Sequence, residues 1–237
     1  MADISVRQYI RWPPAPPSEP TSTVVLTSPS RHFIDVRILI HDEPGKGDVH
    51  GDSKLDWAFA GTSSSQPGQE PGTRHAVWRH WVDSHSTEPE TVRDEAVVNE
   101  TGGPDGSELE SGRMVNPETG VEADYEEAWS SVEPLVDPGS EGRPACVVLR
   151  TWDDDRGVRG MLIRLGQFCQ GILRDRDAVT VERWNWDQDG GWSLSARFGQ
   201  DRLPVKVLLG DMQTLKADDV VEDGTKTWKV IEVDGER

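Results

Sequence analysis

The 237-residue chain carries 43 Asp and Glu against 25 Lys and Arg, a formal net charge of -18, and only 34% of its residues are apolar. It is long enough for one large core or two of ordinary size, but that core must be drawn from few positions. The charge argues against nucleic acid and anionic membrane surfaces as partners, because such binding runs on cationic side chains that release counterions. Between Ser84 and Arg143 the imbalance is steepest, with sixteen acidic residues against three basic ones.

At the N-terminus, Met1 to Trp12 lacks a basic region followed by an apolar run. No stretch approaches the ~20 apolar residues that span a bilayer, so the expectation is a cytosolic protein with no membrane span. Phe33 to Ile40 reads as a half-buried strand, with Ile34, Val36, Ile38 and Ile40 on one face and Asp35 and Arg37 on the other. His41 to Lys54 is a polar insertion, and its Gly45-Lys46-Gly47 is read as a flexible loop because no strand-loop-helix context for a phosphate site surrounds it. Leu55 to Gly61 alternates Leu55, Trp57 and Phe59 with Asp56, Ala58 and Ala60, whose small side chains would allow close approach of a neighbouring layer. Thr62 to Gly72 and Ser84 to Arg113, rich in Gly, Pro, Ser and acidic residues, read as mobile loops. Between them, Ala76 to Asp83 is a strand with Trp78 and Trp81 on opposite faces.

Further strands are expected at Ala145 to Thr151, Arg159 to Leu165, Gln167 to Leu173, Ala178 to Trp186, Trp192 to Phe198, Pro204 to Leu209 and Lys226 to Val233. Hairpin turns are expected at Asp187 to Gly191 and at Asp223-Gly224. Many short antiparallel strands with close turns imply a barrel or sandwich, since such a sheet must close or cover its edges. There is also an internal echo at an offset near 120 residues. Tyr9 and Trp12 precede Val24-Val25-Leu26-Thr27 and Val36 to Ile40, while Tyr125 and Trp129 precede Val147-Val148-Leu149 and Val158 to Ile163. It suggests a duplicated unit with its boundary near Gly120, giving an N-terminal unit 1–119 and a C-terminal unit 120–237, with Trp12 and Trp129 each plugging an end.

At Leu55-Asp56-Trp57-Ala58-Phe59-Ala60-Gly61-Thr62 the chain resembles the fungal Hri-one family, named for interaction with a casein kinase I. The likeness continues through Trp78 to Ser84 and through Glu110-Ser111-Gly112 to Tyr125-Glu126-Glu127-Ala128-Trp129. It extends over Arg159 to Arg174, with Gly166-Gln167 and Gln170-Gly171, and over Val181-Glu182-Arg183-Trp184. Each motif is short, but five in order over most of the chain are specific. The resemblance implies an all-β fold of two tandem lipocalin-like antiparallel β-barrels, a cytoplasmic or nuclear location, self-association as a homodimer, and no assigned activity. Ala128, where the family often has a bulkier aliphatic residue, and the long acidic insertion depart from its pattern and bear on partner contacts, including any casein kinase I.

Motifs of catalysis are sparse. No Gly-x-Ser-x-Gly occurs to hold a nucleophile, and no Gly-rich phosphate loop or cofactor motif is present. Of the histidines, His75, His80 and His85 lie close in sequence, but His75 and His80 point to opposite faces of a strand, which spoils a shared metal site. Cys146 and Cys169 read as small buried hydrophobes. Arg164 and Arg183 stand on apolar strand faces and need a counter-charge, either an acidic ligand or a carboxylate such as Glu126 or Glu127.

Two readings follow. In the first, the chain is a non-enzymatic interaction protein that presents an acidic surface to a protein partner, and deleting Ser86 to Leu109 would weaken capture without unfolding either barrel. In the second, it is a barrel for a small apolar or acidic molecule, with isomerisation or cyclisation by confinement as an extension. The candidate pocket then comprises Trp57, Phe59, Trp78, His80, Arg164, Gln170, Arg183 and Trp184, and Trp186 joins the aromatic lining. Ten tryptophans serve a packed core equally well.

Overall fold

The computed structural model describes residues 1–40, 54–136, 144–210, 215–224 and 226–234. Strands dominate, as the period-two patterning requires. The first eight are β1 (Asp3–Arg11), β2 (Thr21–Thr27), β3 (His32–Leu39), β4 (Leu55–Pro67), β5 (Thr73–Asp83), β6 (Asp94–Asn99), β7 (Glu108–Val115) and β8 (Glu122–Val132). They pair in sequence order, and β1 pairs with β8 to close the barrel.

This closure corrects three expectations. Thr62 to Gly72 is largely the outer half of β4, and Ser84 to Arg113 contains β6 and most of β7, so neither is simply a mobile loop. The boundary near Gly120 falls too early, because β8 belongs to the first barrel. The echo dissolves with it: Tyr9 and Trp12 lie beside Tyr125 and Trp129 in one barrel, with Tyr9 opposite Ala128 and the Trp12 and Tyr125 rings 6.0 Å apart. His41 to Lys54, apart from Lys54, lies outside the described residues.

The remaining strands form a seven-stranded antiparallel sheet. They are β9 (Cys146–Asp153), β10 (Val158–Leu165), β11 (Phe168–Asp175), β12 (Ala178–Asp187), β13 (Gly191–Phe198), β14 (Val220–Asp223) and β15 (Lys226–Asp234), in the spatial order β13-β12-β11-β10-β9-β15-β14. Turn chemistry sets the hairpins. Asp187 Oδ1 accepts the amide N–H groups of Asp189 at 2.9 Å and Gly190 at 2.6 Å, and Gly191 supplies the positive φ of 69° that closes β12 onto β13. The segment Pro204 to Leu209, expected as a strand, is the short helix α1 (Val205–Leu209). Val205 and Leu208 are three apart, so one helical turn buries both, and period two there was coincidental.

Two apolar layers result. Val147, Leu149, Leu162, Leu173, Trp228 and Val230, on one face of the second sheet, pack with Leu203 and α1. On its other face Val148, Met161, Ile163, Leu165, Ile172 and Val181 meet Val24, Leu26, Ile34, Val36, Ile38, Ala58 and Ala60 of the barrel wall. The apolar side of β3 therefore points out of its own barrel into the second sheet, while Asp35 and Arg37 point inward. The strand is buried on both faces rather than one. Each fully buried Ile or Leu contributes about 1.5–3 kcal/mol, so this contact is a principal source of stability.

Polar bonds fix the register of the two layers. Arg183 Nε donates to Gln170 Oε1 at 2.7 Å, Nη1 to Ser22 Oγ at 2.9 Å, and Nη2 to the carbonyls of Val36 at 2.6 Å and Ser22 at 3.1 Å. Gln170 Nε2 donates to the Val24 carbonyl at 3.0 Å. Arg174 Nε donates to the Asp83 carbonyl and Nη2 to the Ser84 carbonyl, both at 2.8 Å. At another edge Glu232 accepts from Ser28 Oγ at 2.5 Å and the Ser30 N–H at 2.8 Å. Replacing Arg183 with Met would strand those buried acceptors. Urea denaturation should show a loss of about 2–4 kcal/mol, whereas exposed Arg93→Ala should stay within about 0.5 kcal/mol. Equal stability of the two variants would contradict this role.

Candidate functional site

Strand alternation sorts the first barrel into an apolar outer wall and a polar interior, and the interior holds a cavity of about 280 Å³. Its walls carry Phe33, Phe59, Trp78 and Trp129, its deeper part Asp35, Arg37, Asp94, Glu110 and Glu127, and its outer rim Arg31, Ser64, Ser65, Arg74 and Glu108. That volume is at the small end of ligand sites and suits a compact molecule.

A charge network underlies it. Glu127 on β8 accepts from Arg7 and from Arg37 Nη1, the latter at 3.2 Å. Arg7 also reaches Glu19 Oε2 at 2.9 Å and Thr21 Oγ1 at 2.7 Å. Arg37 grips Asp35 Oδ2 through Nε at 3.0 Å and Nη2 at 2.9 Å, and its guanidinium stands 5.1 Å from the centre of the Trp57 ring. Burial opposes the charge on Arg37, but Asp35 and Glu127 overcome it and raise its pKa further.

Two neighbours titrate unusually. Burial, with Glu127 and Asp94 nearby, pushes the Glu110 carboxyl up to about 8, so it is largely protonated at neutral pH; the Tyr125 hydroxyl donates to its Oε1 at 2.7 Å. His80 stands between Asp83, at 2.7 Å from Nδ1, and Asp94, at 2.9 Å from Nε2, and stacks on Phe59 with ring centres 4.3 Å apart. Burial works against its charge, but the two carboxylates prevail and raise its pKa. Burial likewise pushes Asp83 upward, yet the bonds from His80, the His85 N–H and Trp57 Nε1 carry it below the usual range.

Among the described residues, three that line the cavity hold a buried polar atom with no hydrogen-bond partner: Asp35 Oδ1, Ser63 Oγ and Trp129 Nε1. Such groups cost free energy until a donor or acceptor reaches them. Burial also drives the Asp35 carboxyl upward, against the lowering effect of Arg37 and Arg7.

The residues singled out in the sequence fall in three places. Trp57, Phe59, Trp78 and His80 gather in the first barrel, where Phe59 and Trp78 line the cavity and Trp57 and His80 stand behind it. Gln170 and Arg183 are in the contact between the two layers. Arg164 and Trp184 lie in the second unit, Arg164 donating to the Leu208 carbonyl with its guanidinium 4.9 Å from the centre of the Trp192 ring, and Trp184 Nε1 donating to Glu182 at 2.8 Å. One pocket of all eight does not form, because residues on opposite faces of β10 and β12 cannot share it. Trp186 is likewise remote from the cavity. Neither arginine takes Glu126 or Glu127, which serve Arg11 and the Arg7–Arg37 pair; Arg183 is satisfied by carbonyls, Gln170 and Ser22, and burial lowers its pKa to about 10. Missed in the sequence were Asp35, Glu110, Glu127 and Trp129 as cavity groups. The available signal was Asp35 and Arg37 alternating with a wholly apolar face.

Glu110 and His80 both have raised pKa values, so each adds stability that is complete below its unfolded value, near 4.5 and 6.5, and is lost as pH rises through its folded one. The groups facing them are Asp35, Asp83, Asp94, Glu127, Arg37 and Tyr125. A melting series should therefore fall from pH 5 to 9, and Glu110→Gln should flatten the part between 4.5 and about 8. The variant should melt above the parent at pH 9 by at least the ~2–4 °C that corresponds to 1 kcal/mol in a chain of this size. A parallel pair of profiles would contradict the assignment.

Comparison with known proteins agrees with this architecture. The family described as Protein HRI1 matches residues 3–232. Protein HRI1 of Saccharomyces cerevisiae is 25% identical over 246 aligned positions, covering 91% of this chain and 93% of the relative, and the proteins from strains FostersO and FostersB match equally. A crystal structure described as uncharacterized protein YLR301w from the same yeast superposes with a TM-score of 0.73 at 21% identity, over 98% of this chain and 99% of that one, and supports the fold. With the family match spanning nearly its whole length, this chain belongs to the HRI1 protein family.

Proposed function

We propose that the chain is a small-molecule-binding protein whose site is the interior of the first barrel. The observation that carries this reading is that three residues lining one cavity with aromatic walls, Asp35, Ser63 and Trp129, each hold a buried polar atom without a partner. A packed core would have filled that volume with apolar side chains.

The same geometry divides the acidic residues behind the acidic-surface reading between the cavity and the surface. Of the acidic stretch after Ser84, Asp94, Glu108, Glu110 and Glu127 line the cavity, while Glu88, Glu90, Glu100, Asp105, Glu118, Glu122, Asp124 and Glu133 are exposed. Removing Ser86 to Leu109 would delete β6 and open the barrel. Binding of an acidic ligand through Arg164 and Arg183 has no basis in the positions of those residues, and the site moves to the first barrel.

Native mass spectrometry after incubation with a small-molecule extract of yeast cells tests this. The intact chain should retain a stoichiometric adduct, and Ala76→Leu, which fills the cavity from a buried wall position, should fold and lose it. An adduct retained equally by Ala76→Leu, or none on either chain, would contradict the proposal.

A further inference from the structure

The deep lining of the cavity selects the charge of its occupant. Three carboxylates, Asp35, Asp94 and Glu127, are set there against one guanidinium, Arg37; the fourth carboxyl, Glu110, is largely protonated at neutral pH, and Asp94 is shared with His80. Arg37 is already committed to Asp35 Oδ2 and Glu127, and Arg7 beyond it to Glu19 and Glu127. At the rim Arg74 is held by Glu108, and Asp3 and Arg31 add one charge of each sign, so the rim is balanced and the excess of carboxylates lies deeper. An incoming anion would meet an excess of carboxyl groups in a low-dielectric enclosure, where like charges repel far more strongly than in water.

The unpartnered atoms say what is missing. Asp35 is 3% exposed, and its Oδ1 needs a donor. Trp129, 8% exposed, offers Nε1–H and needs an acceptor. Ser63 Oγ can serve either way. Around them the faces and edges of Phe33, Phe59, Trp78 and Trp129 make an aromatic surround, which favours cations through the ring quadrupole.

We infer that the barrel's ligand is a compact organic ammonium ion that also bears an oxygen acceptor. Its N–H donates to Asp35 Oδ1, its oxygen accepts from Trp129 Nε1, and its apolar frame lies among the aromatic walls. The inference rests on the first barrel being a binding site, as proposed above, and adds the ligand's charge and polar pattern. An uncharged molecule of the same shape can satisfy the hydrogen bonds but leaves the carboxyl excess uncompensated. A carboxylate worsens it.

Three probes share one phenyl-carbinol frame and differ in charge: 2-amino-1-phenylethanol, 1-phenyl-1,2-ethanediol and mandelate. Titrated by calorimetry into the full chain at neutral pH, the amine should bind at least about tenfold more tightly than the diol, a difference of about 1.4 kcal/mol, and mandelate should give no saturable heat. Asp35→Asn should remove most of the preference for the amine while leaving diol affinity within about twofold, and Trp129→Phe should weaken amine and diol alike. If Asp35→Asn does not fold, the comparison of the three probes on the unaltered chain decides. Diol or mandelate binding as tightly as the amine would overturn the charge assignment and leave the barrel site standing. No saturable binding of any of the three would overturn this inference, while an adduct lost in Ala76→Leu would still separately uphold the barrel site.

Discussion

Ile34, Val36 and Ile38 turn away from the barrel they help to build and into the face of a second sheet, where Met161, Ile163 and Ile172 meet them. The rest of the structure depends on that face-to-face burial. A free-standing barrel turns its apolar residues inward and wets its outer surface; here the neighbouring sheet takes up the outer apolar face and frees the inner face for polar residues. Ala58 and Ala60 belong to the same contact, and their small side chains let the layers approach. Arg183, Gln170 and Arg174 then bind main-chain carbonyls across it, so that the apolar match has one register.

The interior that results is a network rather than a hydrophobic plug. Glu127 joins Arg7 to Arg37, Asp35 completes the Arg37 fork on one side, and His80 ties Asp83 to Asp94. Buried charges of this kind carry a large desolvation cost, and Arg7, Arg37, Glu127, His80 and Asp83 are accordingly each held by two or more partners. Asp35 Oδ1 and Trp129 Nε1 break that pattern side by side with aromatic walls. In the proposed binding reading these are the groups left for a ligand, and the surrounding network keeps them in place.

Much of the fold was legible in the sequence because alternation is a strong signal wherever one face is apolar. Phe33 to Ile40, Leu55 to Gly61 and the dense run from Ala145 to Phe198 all became strands. Strands β6 and β7 were hidden by their own chemistry: Asp94 and Glu110 point into the barrel, so the inward positions read as solvent-facing loop. Alternation also cannot say which face is inside. On β3 it identified two faces correctly, but the apolar one was the outside of the barrel, and Asp35 and Arg37 were consequently passed over as site residues. Trp57, Phe59, Trp78 and His80 fall in the same barrel, Phe59 and Trp78 on the cavity wall and Trp57 and His80 behind it, because aromatic residues on neighbouring strands meet whichever face is inward. The placement of Arg164 and Arg183 on opposite sides of the second sheet depended on its packing partners, which lie far away in sequence.

The central claim is that the first barrel's outer wall is a buried core surface completed by the second sheet. Expressing residues 1–136 alone and recording its amide NMR spectrum beside that of the full chain tests it directly. The account predicts that the isolated segment self-associates or lacks the dispersed spectrum of a folded barrel, because Ile34, Val36 and Ile38 would face water. A monomeric segment with a dispersed spectrum and cooperative unfolding as stable as the full chain would contradict it.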